Sequence, residues 1–89
     1  MVPMGTGKKN KVELRDLVSY LASNIVDEPD MVRVREIENG DSVILEVSVA
    51  QGDMGKVIGR HGRVARAIRT VAKATATRQG KRAMVEIVE

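Results

Sequence analysis

Val57-Ile58-Gly59-Arg60-His61-Gly62-Arg63-Val64-Ala65-Arg66-Ala67-Ile68 is the stretch on which the reading of this chain turns. Two glycines three residues apart permit a sharp backbone bend and leave no Cβ between the main chain and a ligand. An aliphatic pair precedes the bend and a helical pattern follows it at once. A helix that opens there offers first-turn N–H groups without intrahelical partners. Together with the positive end of the helix dipole, those donors favour a phosphate. Arg60, Arg63 and Arg66 add full charges on or just after the bend, and Lys56 adds one before it. Contacts of this kind hold a polynucleotide backbone without reading its sequence. Bases would then lie on an apolar floor, for which Ile58 is the nearest candidate.

Downstream, residues 63–78 read as a long helix. At 100° per residue Val64, Ile68, Val71, Ala72 and Thr75 fall on one side, with Arg66, Arg69 and Lys73 roughly opposite. Alanines 65, 67, 74 and 76 fill the flanks and favour the helix, and Gln79-Gly80 ends it. Residues 82–88 read as a strand with Ala83, Val85 and Ile87 on one face. Upstream, residues 51–58 form a short helix weakened by Gly52 and Gly55.

Two strands are expected before that helix. Residues 42–49 place Val43, Leu45, Val47 and Val49 on one face. Residues 31–38 alternate Val32 and Val34 with Arg33 and Arg35, but Ile37 falls out of phase, which points to a bulge or twist near Glu36. Asn39-Gly40 between them is a hairpin turn signal, since both residues tolerate positive φ. Residues 11–26 read as the opening helix, with Leu14, Leu17, Val18, Leu21 and Ile25 at helical spacing. Asn10 and Glu13 resemble a capping box. Pro29 is expected to stop this helix by restricting Glu28, and the spacing of Tyr20 predicts its partial burial. Residues 1–10 are expected to be a disordered basic tail, leaving one domain over 11–89. The element order α-β-β-α-α-β predicts a two-layer α+β domain, a three-stranded sheet with helices on one face.

Charge is segregated along the chain. Residues 1–53 carry six Lys/Arg against ten Asp/Glu, a balance of −4, whereas residues 54–89 carry nine against two, a balance of +7. A segregated positive segment suits a polyanion partner, and a solvated helix face accounts for it equally well on charge alone. The chain has no cysteine, so disulfide frameworks and thiolate metal sites are excluded. No apolar run approaches the ~18 residues of a membrane span, and the expectation is a cytoplasmic protein without membrane contact. With one His and no nucleophile–base pair, neither catalysis nor a cofactor or metal is expected. The glycines around Lys56 fit neither G-x-x-x-x-G-K-[ST] nor G-x-G-x-x-G, which removes a nucleotide-phosphate reading.

A bare G-x-x-G is weak evidence, since glycine makes up about 7% of residues in general. Its setting is more specific. Val57, Ile58, Gly59, Gly62 and Ile68 match the frame aliphatic-Ile-Gly-x-x-Gly followed by Ile, which resembles the KH family. The element order resembles the type II, bacterial arrangement of that family, whose members clamp about four nucleotides of single strand at this loop. Beyond the loop, the opening helix ending in Val-Asp-Glu-Pro and the run Asp53 to Arg63 are similar to the small stand-alone bacterial KH proteins of the KhpA family. The likeness covers about residues 11–89. It implies an RNA chaperone or post-transcriptional regulator linked to cell elongation and division, with single-stranded RNA as ligand. It also implies pairing with a second, KhpB-like KH protein or with another copy.

His61, within the bend, is expected to contact RNA or simply to be solvated. Arg69, Lys73, Arg78, Lys81 and Arg82 either extend the RNA track or form a solvated surface. The near absence of aromatic residues argues against modules that stack bases on Phe, Tyr or Trp. A protein-pairing module using exposed Ile58, Met54 or Met84 is the alternative reading.

Overall fold

A computed structural model describes residues 12–88 of the chain. The elements are α1 (Leu14–Ser23), β1 (Arg33–Asn39), β2 (Ser42–Ser48), α2 (Met54–Ile58), α3 (Arg63–Arg78) and β3 (Arg82–Ile87), with short 3₁₀ turns between them. The predicted order holds. Both the expected tail and Asn10 lie outside the described residues.

In α1 the buried stripe is Leu14, Val18 and Ala22, spaced by four. Tyr20 sits 200° around the helix from Val18 and is 67% exposed, so the expected partial burial is overturned by helix geometry. Glu13 occupies the N-cap position and makes no side-chain capping bond, so no capping bond from it supports the expected box. The helix also ends earlier than expected. Asn24 Nδ2 donates to the Tyr20 carbonyl at 2.7 Å, and the amides of Ile25 and Val26 both turn back to the Ala22 carbonyl. Asn24 is therefore the stop, and Pro29 instead opens the 3₁₀ turn Pro29–Met31.

β1 and β2 pair antiparallel in an unbroken register from Arg33↔Ser48 to Asn39↔Ser42. The bulge expected near Glu36 does not form. Ile37 pairs directly with Ile44, pointing away from the core instead of slipping toward it. The hairpin loop is Gly40-Asp41, one residue later than expected, and only Gly40 has positive φ (66°). Glycine at the first central position matches a II′-type turn.

β3 lies on the other side of β2 and runs parallel to it, from Ser42↔Arg82 to Val47↔Ile87. A parallel neighbour requires a crossover, and α2 and α3 supply it. Val43, Leu45, Val47, Ala83 and Val85 form the buried floor, onto which α1 and α3 pack. On α3 the buried stripe is Ala65, Ile68, Ala72 and Ala76, and the small side chains let helix and sheet approach closely. Val71 lies about 100° off that stripe and is 41% exposed, in contrast to its expected core position.

One buried carboxylate organises the approach to α2. Asp53 is 3% exposed. Its Oδ1 accepts the Asp27 amide at 3.2 Å and its Oδ2 the Glu28 amide at 3.1 Å. The connection leaving α1 is thereby tied to the base of α2, which ends at the glycine bend.

Candidate nucleic-acid interface

The bend is a compact left-handed corner. Gly59 adopts φ 77°, ψ 169°, and is followed by a 3₁₀ turn Arg60–Gly62. His61 (φ 57°) and Gly62 (φ 73°) both lie at positive φ, His61 being the one non-glycine residue to do so among those described. Gly59 must be glycine on packing grounds as well, because a Cβ there would lie 2.8 Å from the Cβ and the nitrogen of Val64.

The donors are distributed differently from the sequence expectation. The Gly62 amide bonds the Gly59 carbonyl at 3.0 Å and the Arg63 amide bonds the Arg60 carbonyl, so the first of the expected free helix amides are turned inward. The amides of Arg60 and His61 have no hydrogen-bond acceptor among the described residues. The open donors therefore sit at the tip of the bend, one step ahead of the helix.

Side chains surround that tip. Arg60, His61 and Arg63 are exposed, and Arg66 reaches back from α3 so that its Nη2 donates to the His61 carbonyl at 3.2 Å. Arg66 thus does two things: it brings a cation to the bend and braces His61 in its left-handed conformation. Ile58, 41% exposed at the end of α2, borders the bend. Lys56 is turned toward the neighbouring connection, where Nζ pairs with Asp27 Oδ2 at 3.3 Å.

From the bend a positive stripe runs down α3. Arg63, Arg66, Arg69 and Lys73 fall within about 120° of arc and span about 15 Å of helix. Arg69 and Lys73 line a groove of about 170 Å³ against Ala83, Met84 and Val85 of β3. Arg69 Nε donates to the Val85 carbonyl at 3.1 Å. That carbonyl belongs to the β3 edge facing away from β2, because the amides of Arg82 and Val88 are the ones directed at the Asp41 and Val47 carbonyls. Arg78 and Arg82 are exposed, while Lys81 pairs with Glu38 at 3.5 Å on the opposite sheet edge.

Sequence reasoning located the bend and its cations but missed Asp53, the bracing bond from Arg66 and the capping of β3 by Arg69. A signal for Asp53 was present: it is the last acidic residue before Glu86. Among the described residues no three His, Cys, Asp or Glu side chains gather as a metal site would require, and no helix is long and apolar enough to cross a membrane.

Two helices joined by a glycine-bracketed bend, set between parallel strands and preceded by an α-β extension on a mixed three-stranded sheet, define a KH domain of the type II arrangement. The chain belongs to the KhpA/KhpB KH-domain family, whose sequence model matches residues 15–87. It is 48% identical over 75 residues to the RNA-binding protein KhpA of Clostridium perfringens, covering 84% of this chain and all of that one. Identity is 52% over 73 residues to KhpA of Caldanaerobacter subterraneus, covering 82% of this chain and 97% of the relative. With Aquifex aeolicus KhpA it is 46% over 76 residues, covering 85% and 96%. Among solved structures, Era in complex with MgGDPNP and nucleotides 1506–1542 of 16S ribosomal RNA superimposes with a TM-score of 0.59. At 19% identity that likeness shows the fold alone, and this chain spans 28% of the Era chain while 83% of it is matched.

Proposed function

We propose that this protein binds single-stranded RNA at the Gly59–Gly62 bend and works as an RNA chaperone or post-transcriptional regulator. The observation that carries this reading is the pair of open amides of Arg60 and His61 at the tip of a bend flanked by exposed Arg60, Arg63 and Arg66. A phosphate at that tip accepts charge-assisted hydrogen bonds, and the strand continues along the α3–β3 groove past Arg69 and Lys73. The relatives bear the name RNA-binding protein, which supports RNA over other polyanions. Lys56 takes a peripheral part, since its pairing with Asp27 is exposed and readily exchanged. Such a clamp holds backbone more than sequence, which suits a chaperone that passes between transcripts. By family likeness, the processes served are cell elongation and division in the cytoplasm, in company with a KhpB-like partner.

The test is fluorescence anisotropy with a labelled single-stranded RNA at low salt. Replacing both Arg60 and His61 by Asp is expected to abolish binding while the helical circular dichroism persists. Retained binding by the folded double variant would refute the reading.

A further inference from the structure

β3 is an edge strand, with β2 on one side only. The amides of Arg82 and Val88 point to β2. By strand alternation, Ala83, Val85 and Ile87 therefore present both N–H and C=O to the other side. That side is one wall of the groove of about 170 Å³, Arg69 and Lys73 form the other, and no carboxylate lines it. An open strand edge offers each outward residue as an adjacent donor and acceptor. Val85 departs from that pattern. Its carbonyl already accepts Arg69 Nε at 3.1 Å, while its amide has no acceptor among the described residues. Arg69 makes no ion pair among the described residues, so its Nη groups stay available as donors.

We propose, resting on the RNA reading above, that Arg69 is a base-specificity residue and that the corner it forms with Val85 selects guanine. With the carbonyl occupied, the corner holds donors alone: the Val85 amide and the Arg69 Nη pair. Guanine is the base with two acceptors, O6 and N7, side by side, and a planar arginine fork matches them. Adenine and cytosine each set an amino donor beside a ring acceptor, and here that amino group finds no acceptor. Uracil sets N3–H beside O4 and meets the same obstacle. The buried carbonyl contact also fixes the guanidinium, so the fork is placed before RNA arrives.

A base of the bound strand is the occupant the surroundings favour. Arg69 lies about one helical turn beyond Arg66, whose guanidinium is held at the bend, so a strand clamped there passes this corner next. A peptide strand adding to the same edge would need the Val85 carbonyl as an acceptor, and Arg69 occupies it.

Fluorescence anisotropy at low salt with four labelled oligouridines, carrying U, A, C or G at the centre, tests the assignment. The parent is expected to bind the guanine strand about tenfold more tightly than the others. Arg69→Ala frees the Val85 carbonyl and restores an adjacent donor and acceptor. The guanine strand should then lose well over tenfold relative to adenine and cytosine, so that the order inverts. Arg69→Lys keeps the charge without the fork and should lose the guanine preference while the salt dependence stays unchanged. Helical circular dichroism checks that both variants fold. A parent that binds all four strands alike would overturn the proposal, as would an Arg69→Ala protein weakened equally for each, which is the mark of a phosphate contact. The bend reading survives either result if the Arg60→Asp, His61→Asp variant still loses all four strands. A parent that binds none of them would sink both readings.

Discussion

Gly59 and Val64 touch across the bend so closely that a methyl group on Gly59 would lie 2.8 Å from both the Cβ and the nitrogen of Val64. Gly59 also holds φ 77° with ψ 169°, a region essentially reserved for glycine. Gly62, at φ 73° and ψ 15°, has only Arg66 Nη1 within reach, at 3.8 Å. Gly59→Ala is therefore expected to cost about 3 kcal/mol and Gly62→Ala about 1 kcal/mol in urea denaturation. Equal costs would show that the packing against Val64 relaxes freely.

Arg66 is expected to act through position as well as charge. Its guanidinium braces the His61 carbonyl, a planar fork that lysine does not reproduce. Arg66→Lys should weaken RNA binding at low salt yet leave the dependence of log K on log salt unchanged. Arg60→Ala should lower that slope by about 0.7 per lost phosphate contact. Salt titrations of anisotropy separate the two, and an Arg66→Lys protein binding like the parent would reduce Arg66 to a point charge.

Asp53 is expected to matter to folding far more than to RNA. Its removal leaves the Asp27 and Glu28 amides without their carboxylate partner. Asp53→Ala should cost about 2–4 kcal/mol, a fall in Tm of some 10–25 °C for a domain this size. Thermal denaturation measures it, and a drop of a few degrees would mean that water replaces the carboxylate.

The contribution of Glu36 to stability should fall as pH rises through the carboxylate range. Burial, and then the hydrogen bond and charge of Glu38, raise the Glu36 carboxyl above its ordinary value of 4.5. The folded state therefore holds that proton more tightly than the unfolded chain. Its advantage is complete below the unfolded value and is lost as pH climbs through the higher folded one. Glu36→Gln should be more stable than the parent at pH 7, and the difference should shrink toward about pH 4. Because burial leads, added salt should leave most of the gain. A pH-independent difference would assign the effect to packing.

Period-two and period-3.6 patterns located the three strands and the two long helices, because those patterns record burial directly. The bend was equally legible, since Gly59 and Gly62 interrupt an otherwise continuous helical stretch. Errors fell where one local signal competed with another. Pro29 looked like the stop of α1, but the side chain of Asn24 closes the helix first. Ile37 looked like a core residue out of phase because a lone sequence does not say that the far face of the sheet also carries aliphatic residues, here Ile37, Ile44 and Met84. Helix spacing puts Val71 on the side of Ile68 and Ala72 and Tyr20 partly inward, but the buried stripes are narrower than that spacing implies, and both residues lie outside them. The open amides were assigned to the helix start, and the 3₁₀ turn moved them to the tip, which depends on φ values no composition encodes.

The pairing of β3 beside β2 bears on how the molecule assembles. The β1–β2 hairpin closes over a two-residue loop, whereas Ser42 must wait for Arg82, forty residues later. Local contacts form early and distant ones carry the larger loop-closure entropy. On loop-closure grounds the hairpin and α3 are expected to form before β3 docks. Since one wall of the groove is β3 itself, the groove is complete only once β3 has docked.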